Sequence, residues 1–391
     1  MKKLGSLLLV LCLVLGMVTV SASAEGVPAD QIKVGFIYIG DENEGYTYSH
    51  YKAALEMKEA LGLTDDQLIF KWLIPESEAC YEAAVDLAEQ GCNIIFANSF
   101  GHEDFLFQAA KEYPEIQFCH ATGTKAAATG LANTHNYFTA IHEARYVSGV
   151  VAGMKLNQMI EEGKITAETA KIGYVGAYPY AEVISGFTSF FLGARSMCPS
   201  ATMQVTYTNS WASADLEKEA AEALIADGCV LISQHADTTG ASTACEAAGV
   251  PIVGYNISMI PTAPTMALTS PTNNWAPYVT FAVKSVIDGT EIPADWCKGF
   301  VDGAVATTEL NEAAVAPGTA EKVAEVEKAL IDGTLHVFDC STFTVEGKAV
   351  ESYNTVYGFE GNEMIKDGYF CEAELRSAPC FELIIDGITL K

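Results

Sequence analysis

Six short polar segments hold most of the residues whose types suit binding or transforming a small molecule. They are Asp41 to His50, Asn98 to Asp104, Tyr178 to Glu182, Asn209 to Trp211, His235 to Asp237 and Asn273 to Trp275. Each mixes carboxylates, amides, hydroxyls or a histidine, and most carry an aromatic ring. That mixture suits a flat heterocycle. Rings stack on its two faces, while amides and carboxylates meet the donors and acceptors along its edge. Stacking one base on one ring contributes about 1–3 kcal/mol. Tyr48, Phe100, Glu182, Asp237, Asn274 and Trp275 are the candidates these segments offer. Any one of them is equally well read as a loop cap or a core ring. Convergence of six such segments on one place favours a binding site.

Catalytic signatures are sparse. No GxGxxG, phosphate loop, GxSxG or HExxH pattern occurs; His142-Glu143-Ala144-Arg145-Tyr146 lacks the second histidine. The seven histidines are scattered and fit surface or satisfied core roles. Asp104, Glu182 and Asp237 resemble carboxylates for glycoside cleavage. A pair split across a hinged cleft lacks the fixed spacing that chemistry needs. The expectation is a binding protein rather than an enzyme, with no cofactor and no metal. A nucleosidase and a ligand sensor remain the alternatives.

Strand, loop and helix alternate along the chain. Strands are expected at Ile32–Ile39, Ile69–Ile74, Asn93–Ala97 and Gln117–Ala121, with helices at Tyr51–Leu61, Cys80–Gln90 and Phe105–Tyr113 between them. Such alternation builds βαβ units and a parallel sheet. The cycle restarts with a helix at Glu143–Met159, whose Ser148, Gly149, Ala152 and Gly153 allow close packing on a sheet. Strands follow at Lys171–Val175, Met203–Thr208, Val230–Ser233, Pro251–Tyr255 and Met266–Ser270, interleaved with helices up to Trp275–Ile287. After Gly289 the pattern breaks, leaving one helix, Ala320–Ile331, and short strands such as Leu335–Phe338. The fold class expected is α/β, with two doubly wound parallel-sheet lobes joined by a hinge. Lobe I takes 30–136 plus 272–298, lobe II takes 137–271 plus 299–340, and 341–391 is a C-terminal extension. Ligands of such sheets bind outside the carboxyl ends of the strands, where the six polar segments fall.

The chain has 391 residues, half of them apolar, enough to bury two cores. Its 22 basic and 50 acidic residues give a net charge of −28, which repels a phosphate backbone and excludes nucleic acid as a partner. Lys2 and Lys3, the apolar stretch Leu7 to Val20 and Ala22-Ser23-Ala24 together read as a secretory signal cleaved after Ala24. The product is expected in the periplasm or at the cell surface, as a monomer. Cys12 lies mid-run, so lipidation is not expected. Export permits disulfides in the remaining ten cysteines. Most read as small buried thiols, with Cys340, Cys371 and Cys380 the best candidates for pairing.

Eight short patterns in order carry a resemblance: Gly45 to His50 (GYTYSH), Ser99 to Asp104, His120 to Gly123, Gly149 to Gly153, Leu192 to Ser196, Asn209 to Trp211, Gln234 to Asp237 and Asn274 to Tyr278. The chain resembles the basic membrane protein family of ABC-transporter solute-binding proteins, which take purine nucleosides or bases. The resemblance runs from about residue 32 to 290, and more loosely to about 340. It implies a type I periplasmic-binding-protein fold, a purine-like ligand between two lobes and an ABC permease as membrane partner. It implies stacking by Tyr46 and Trp211, one from each lobe, and a cleft carboxylate at Asp104. The family's ribose-contacting acid and lysine fall near Asn256 and Asn273, both neutral here. That departure favours a free base, adenine-like, over a nucleoside.

Overall fold

A computed structural model describes residues 26–354 and 361–391; the expected signal, with its cleavage after Ala24, lies outside them. The first strand, β1 (Val34–Ile37), is buried on both faces, as a strand inside a parallel sheet must be. With β2 (Leu68–Lys71), β3 (Ile94–Ala97), β4 (Gln117–Ala121) and β5 (Thr134–Thr139) it forms most of the lobe I sheet. Lobe II is built on β6 (Lys171–Gly176), β7 (Thr202–Tyr207), β8 (Leu231–Gln234) and β9 (Ile252–Val253). Then come β10 (Pro271–Asn273), β11 (Asp295–Lys298), β12 (Val305–Thr307), β13 (Ile365–Lys366), β14 (Tyr369–Phe370) and β15 (Ile388–Leu390). The lobe I order is β2-β1-β3-β4-β5-β11 and the lobe II order is β9-β8-β6-β7-β15, every neighbour pair parallel. Strands β6 to β9 repeat the arrangement of β1 to β4. Each lobe therefore has its own reversal of strand order, between β1 and β3 and between β6 and β8.

Among the described residues ten α-helices flank the sheets: α1 (Gly45–Leu61), α2 (Glu78–Glu89), α3 (Glu103–Glu112), α4 (Ala126–Thr129), α5 (Ile141–Glu161), α6 (Ala181–Met197), α7 (Ala214–Ala226), α8 (Gly240–Ala248), α9 (Ala276–Asp288) and α10 (Thr319–Ile331). Helix α1 begins six residues before the expected Tyr51. Glu44 makes this possible: its carboxylate accepts from the Tyr46 and Thr47 amides at 2.5 and 2.8 Å, satisfying two orphan donors of the first turn. The small face of α5 meets α6, not a sheet as expected. A Cβ on Gly149 would lie 2.0 Å from the Phe190 carbonyl oxygen, and one on Gly193 2.0 Å from that of Tyr146.

Three chain crossings join the lobes: 139–141 into α5, 270–275 through β10, and 299–305 into β12. Strands β10 and β12 pair antiparallel at the hinge. The strands expected at Met266–Ser270 and Leu335–Phe338 are irregular instead, with only isolated bridges at Ala267 and Asp339. The described residues beyond 340 pack mainly on lobe II, while Ser377 donates to Asp295 Oδ1 on the lobe I strand β11 at 2.9 Å. Phe343, Met364, Phe370 and Phe381 enter the same apolar core as α5 and α6, and β15 completes the sheet beside β7. All ten described cysteines are free thiols, Cys340, Cys371 and Cys380 included. Cys380 instead turns its sulfur to the Glu372 carboxylate, 3.3 Å away.

Candidate functional site

A cavity of about 310 Å³ lies between the lobes, and every residue lining it follows the carboxyl end of a strand or sits in the helical turn just after. Lobe I contributes Ile39, Gly40, Glu44 and Tyr46 after β1, Asn98 to Phe100 after β3, and Thr122 after β4. Lobe II contributes Tyr178 and Glu182 after β6, Ser210 to Ala212 after β7, His235 and Asp237 after β8, and Tyr255 after β9. The two strand-order reversals thus face each other across the cavity, the position where open α/β sheets bind ligands.

Five rings wall it. Tyr46 is held on the lobe I side by its hydroxyl, which donates to the Asn98 carbonyl at 2.6 Å. Phe100 stands on a single 3₁₀ turn after β3. Trp211 and Tyr178 meet edge-on at 5.0 Å on the lobe II side. Tyr255 forms part of the floor, with the Arg145 guanidinium 3.8 Å behind its ring. Arg145 is fully buried and donates to the Gln234 carbonyl at 2.7 Å.

Acids supply the polar edge. Burial pushes the Glu182 carboxyl up to about 7, against the opposing pull of Arg145. Burial, then the charges of Glu44, Glu217 and Glu182, raise Asp237 well above the carboxylate range. Burial also raises Glu44, against the hydrogen bonds it accepts as helix cap. His235 is driven well below its ordinary value by burial and by Arg145, so its imidazole is neutral. Its Nε2 lies 3.4 Å from Glu182 Oε1 and its Nδ1 3.4 Å from the Tyr174 hydroxyl. With Glu182 ionised, Nε2–H donates to it and Nδ1 accepts from Tyr174; with Glu182 protonated, its O–H donates to Nε2 and Nδ1–H donates to Tyr174. Glu182 can therefore present either an acceptor or an O–H donor near neutral pH.

Residues 32–334 match the family described as Bmp, ABC transporter substrate-binding protein PnrA-like. The chain belongs to this family. A purine-binding protein of Brucella abortus is 35% identical over 311 residues, 79% of this chain and 83% of that one. A putative ABC transporter glucose-binding protein of Haloferax volcanii is 29% identical, over 85% and 81% of the two chains. A solute-binding protein of an ABC transporter system from Conexibacter woesei shares the fold, with a TM-score of 0.62 at 19% identity over 78% of this chain and 98% of that one. A second, from Aeropyrum pernix, has a TM-score of 0.63 at 19% identity and covers 78% and 93%. Bmp proteins are extracytoplasmic, bind small molecules and work with a membrane permease. Among the described residues of this Bmp protein, no helix is long and apolar enough to cross a membrane.

Of the nine residues singled out from its sequence, Tyr46, Phe100, Glu182, Trp211 and Asp237 line the cavity. The other four stand elsewhere. Asp104 is on the outer face of α3, 71% exposed, and pairs with Lys125 at 2.6 Å. Its neighbour Glu103 turns inward and accepts from the amides of Thr124 and Lys125. Tyr48 is two residues past Tyr46 on a helix, and so points to the opposite side, half exposed. Asn274 is a hinge residue whose side-chain amide donates to the Gly303 carbonyl. Trp275 is fully buried in the lobe I core, stacked on His50 at 4.3 Å. Asn256 and Asn273 are bonded to each other at 3.0 Å. The sequence reading omitted Tyr255, Thr122 and the cap Glu44 from its candidates. Tyr255 was placed as the last residue of an expected strand, whereas the strand ends at Val253 and leaves Tyr255 beyond its carboxyl end.

Proposed function

We propose that this Bmp protein closes on a free purine base, adenine-like, and presents it to an ABC permease. The observation carrying this reading is the cavity itself, with rings from both lobes as walls and Glu182, Asp237 and His235 at the edge. Flat apolar faces with a few convergent polar groups match a heterocycle better than a flexible or highly hydroxylated solute. The Brucella relative is named for purine binding, which supports the same class. Preference for the base over its nucleoside rests on Asn256 and Asn273. Their side chains are spent on each other, on Asp237 and on Thr139, which leaves no charged pair for two adjacent ribose hydroxyls.

The test is calorimetry of the purified protein with adenine, hypoxanthine, adenosine and inosine, with glucose as the contrast. A base binding more tightly than its nucleoside is expected. Nucleosides binding tenfold tighter would overturn the preference for a base. Binding of glucose and of no purine would overturn the purine reading.

A further inference from the structure

We infer that Tyr180 is a positioning residue that sets how long the closed cleft holds its ligand. It acts by stacking on Phe100 of the opposite lobe, and Tyr180 itself does not line the cavity. The ligand named in the test rests on the base-binding reading above; the contact does not.

The observation is a continuous ladder of rings across the cleft mouth. Phe100 from lobe I stacks on Tyr180 from lobe II, with centroids 5.2 Å apart and planes at 25°. Tyr180 stacks on Tyr178 at 5.2 Å and 12°, and Tyr178 meets Trp211 edge-on. Phe100, Tyr178 and Trp211 reach the cavity from this ladder. Phe100 and Tyr180 are 44% and 39% exposed.

Both ends of the ladder are stiff. The Ser99 hydroxyl and the Gly101 amide each donate to Glu76 Oε1 at 2.7 Å, and a Cβ on Gly101 would lie 2.7 Å from that of Glu76. The turn carrying Phe100 therefore has one seat. On the other lobe, Pro179 fixes the backbone between the two tyrosines. The Tyr180 carbonyl accepts from the Val183 and Ile184 amides at 3.0 Å, so the start of α6 is anchored by backbone alone. Lobe opening then breaks one ring contact in this ladder, Phe100 on Tyr180, while the rest rides with lobe II. A heterocycle lying on Trp211 extends the ladder inward.

Association starts from open lobes, where this contact is already broken. Release must break it. An aromatic pair of this kind shifts an equilibrium about threefold to tenfold. Stopped-flow fluorescence with adenine should show Tyr180→Ala releasing it about threefold to tenfold faster than wild type, with association within twofold. Tyr180→Phe, which keeps the ring and loses the hydroxyl, should restore slow release. Release from Tyr180→Ala at the wild-type rate, or from Tyr180→Phe as fast as from Tyr180→Ala, would overturn the inference. If the wild type takes up no purine, the base-binding reading fails, and the same release measurement with glucose decides the contact. A threefold to tenfold faster release from Tyr180→Ala than from wild type and Tyr180→Phe supports it; equal rates in all three refute it.

Discussion

Trp211 and Trp275 show how one residue type serves two purposes. Trp275 is sealed in the lobe I core, its indole nitrogen donating to Ser49 Oγ at 2.9 Å. Trp211 is half-buried at the cleft, and its carbonyl accepts from the Asp237 amide. Trp211→Ala should weaken adenine binding by about 1–3 kcal/mol in calorimetry, with little change in unfolding temperature. A wild-type affinity would remove Trp211 from the site. Glu182 gives a pH signature. Its carboxyl is raised to about 7 in the folded protein, so between its ordinary value and 7 the folded state holds more proton than the unfolded one. Stability linked to Glu182 is then full at low pH and is lost as pH rises through 7. Glu217, also raised to about 7 by burial, acts in the same direction. Glu182→Gln should shrink the fall in unfolding temperature between pH 5 and pH 8 by about 2–4 °C, the shift roughly 1 kcal/mol gives in a unit of this size. An unchanged slope would mean that Glu182 does not titrate differently on folding.

At the scale of elements, the helix pair α5 and α6 is the tightest joint. The close approaches at Gly149 and Gly193 are to backbone carbonyls, which cannot turn aside as a side chain can. Gly193→Ala should therefore force the helices apart and cost about 1–3 kcal/mol or more, read by urea unfolding. A loss below about 0.5 kcal/mol would show that the pair can slide. The small residues on α5 were legible in the sequence as a close-packing face; the partner was not, because spacing on one helix does not say what it meets. Helix phase explains the misplacements at the site. Asp104 and Glu103 differ by one position, hence by a rotation that carries one carboxylate outside and the other inside. The GYTYSH segment reads as a loop until Glu44 is seen as a cap, and once it is helical Tyr46 and Tyr48 must diverge. The sheets were legible because parallel strands are near-continuous apolar runs. The strands at 266–270 and 335–338 failed because short apolar runs carry no partner information.

On the proposed reading the whole molecule works through its hinge, and the hinge is wired to the cleft. The Thr139 hydroxyl, at the end of β5, donates to Asn273 Oδ1 at 2.5 Å. The Asn273 amide donates to Asn256 Oδ1 at 3.0 Å and to the Tyr255 hydroxyl at 3.2 Å. The Asn256 amide then donates to Asp237 Oδ1 at 3.1 Å. One buried chain of hydrogen bonds thus runs from a lobe crossing to a carboxylate and a ring at the cavity. Asn256 is held at φ +60°, an uncommon conformation for a residue with a Cβ, and the Thr272 hydroxyl bonds its carbonyl there. Closure is a population shift, so anything that fixes the geometry of Asp237 and Tyr255 relative to the hinge also sets how ligand contacts convert into closure. Asn273→Ala removes three hydrogen bonds at once and strands buried partners, at a cost of about 1–3 kcal/mol each where no water replaces them. Two losses are expected together: a lower unfolding temperature and weaker adenine binding, although Asn273 does not line the cavity. Asn273→Asp keeps an acceptor for Thr139 but turns a carboxylate toward Asn256 Oδ1, so it should repair neither loss. A variant with normal affinity and a lowered unfolding temperature would reduce the chain to a structural brace. Normal values of both would mean that Thr139, Asn256 and Tyr255 find other partners and that closure does not pass through Asn273.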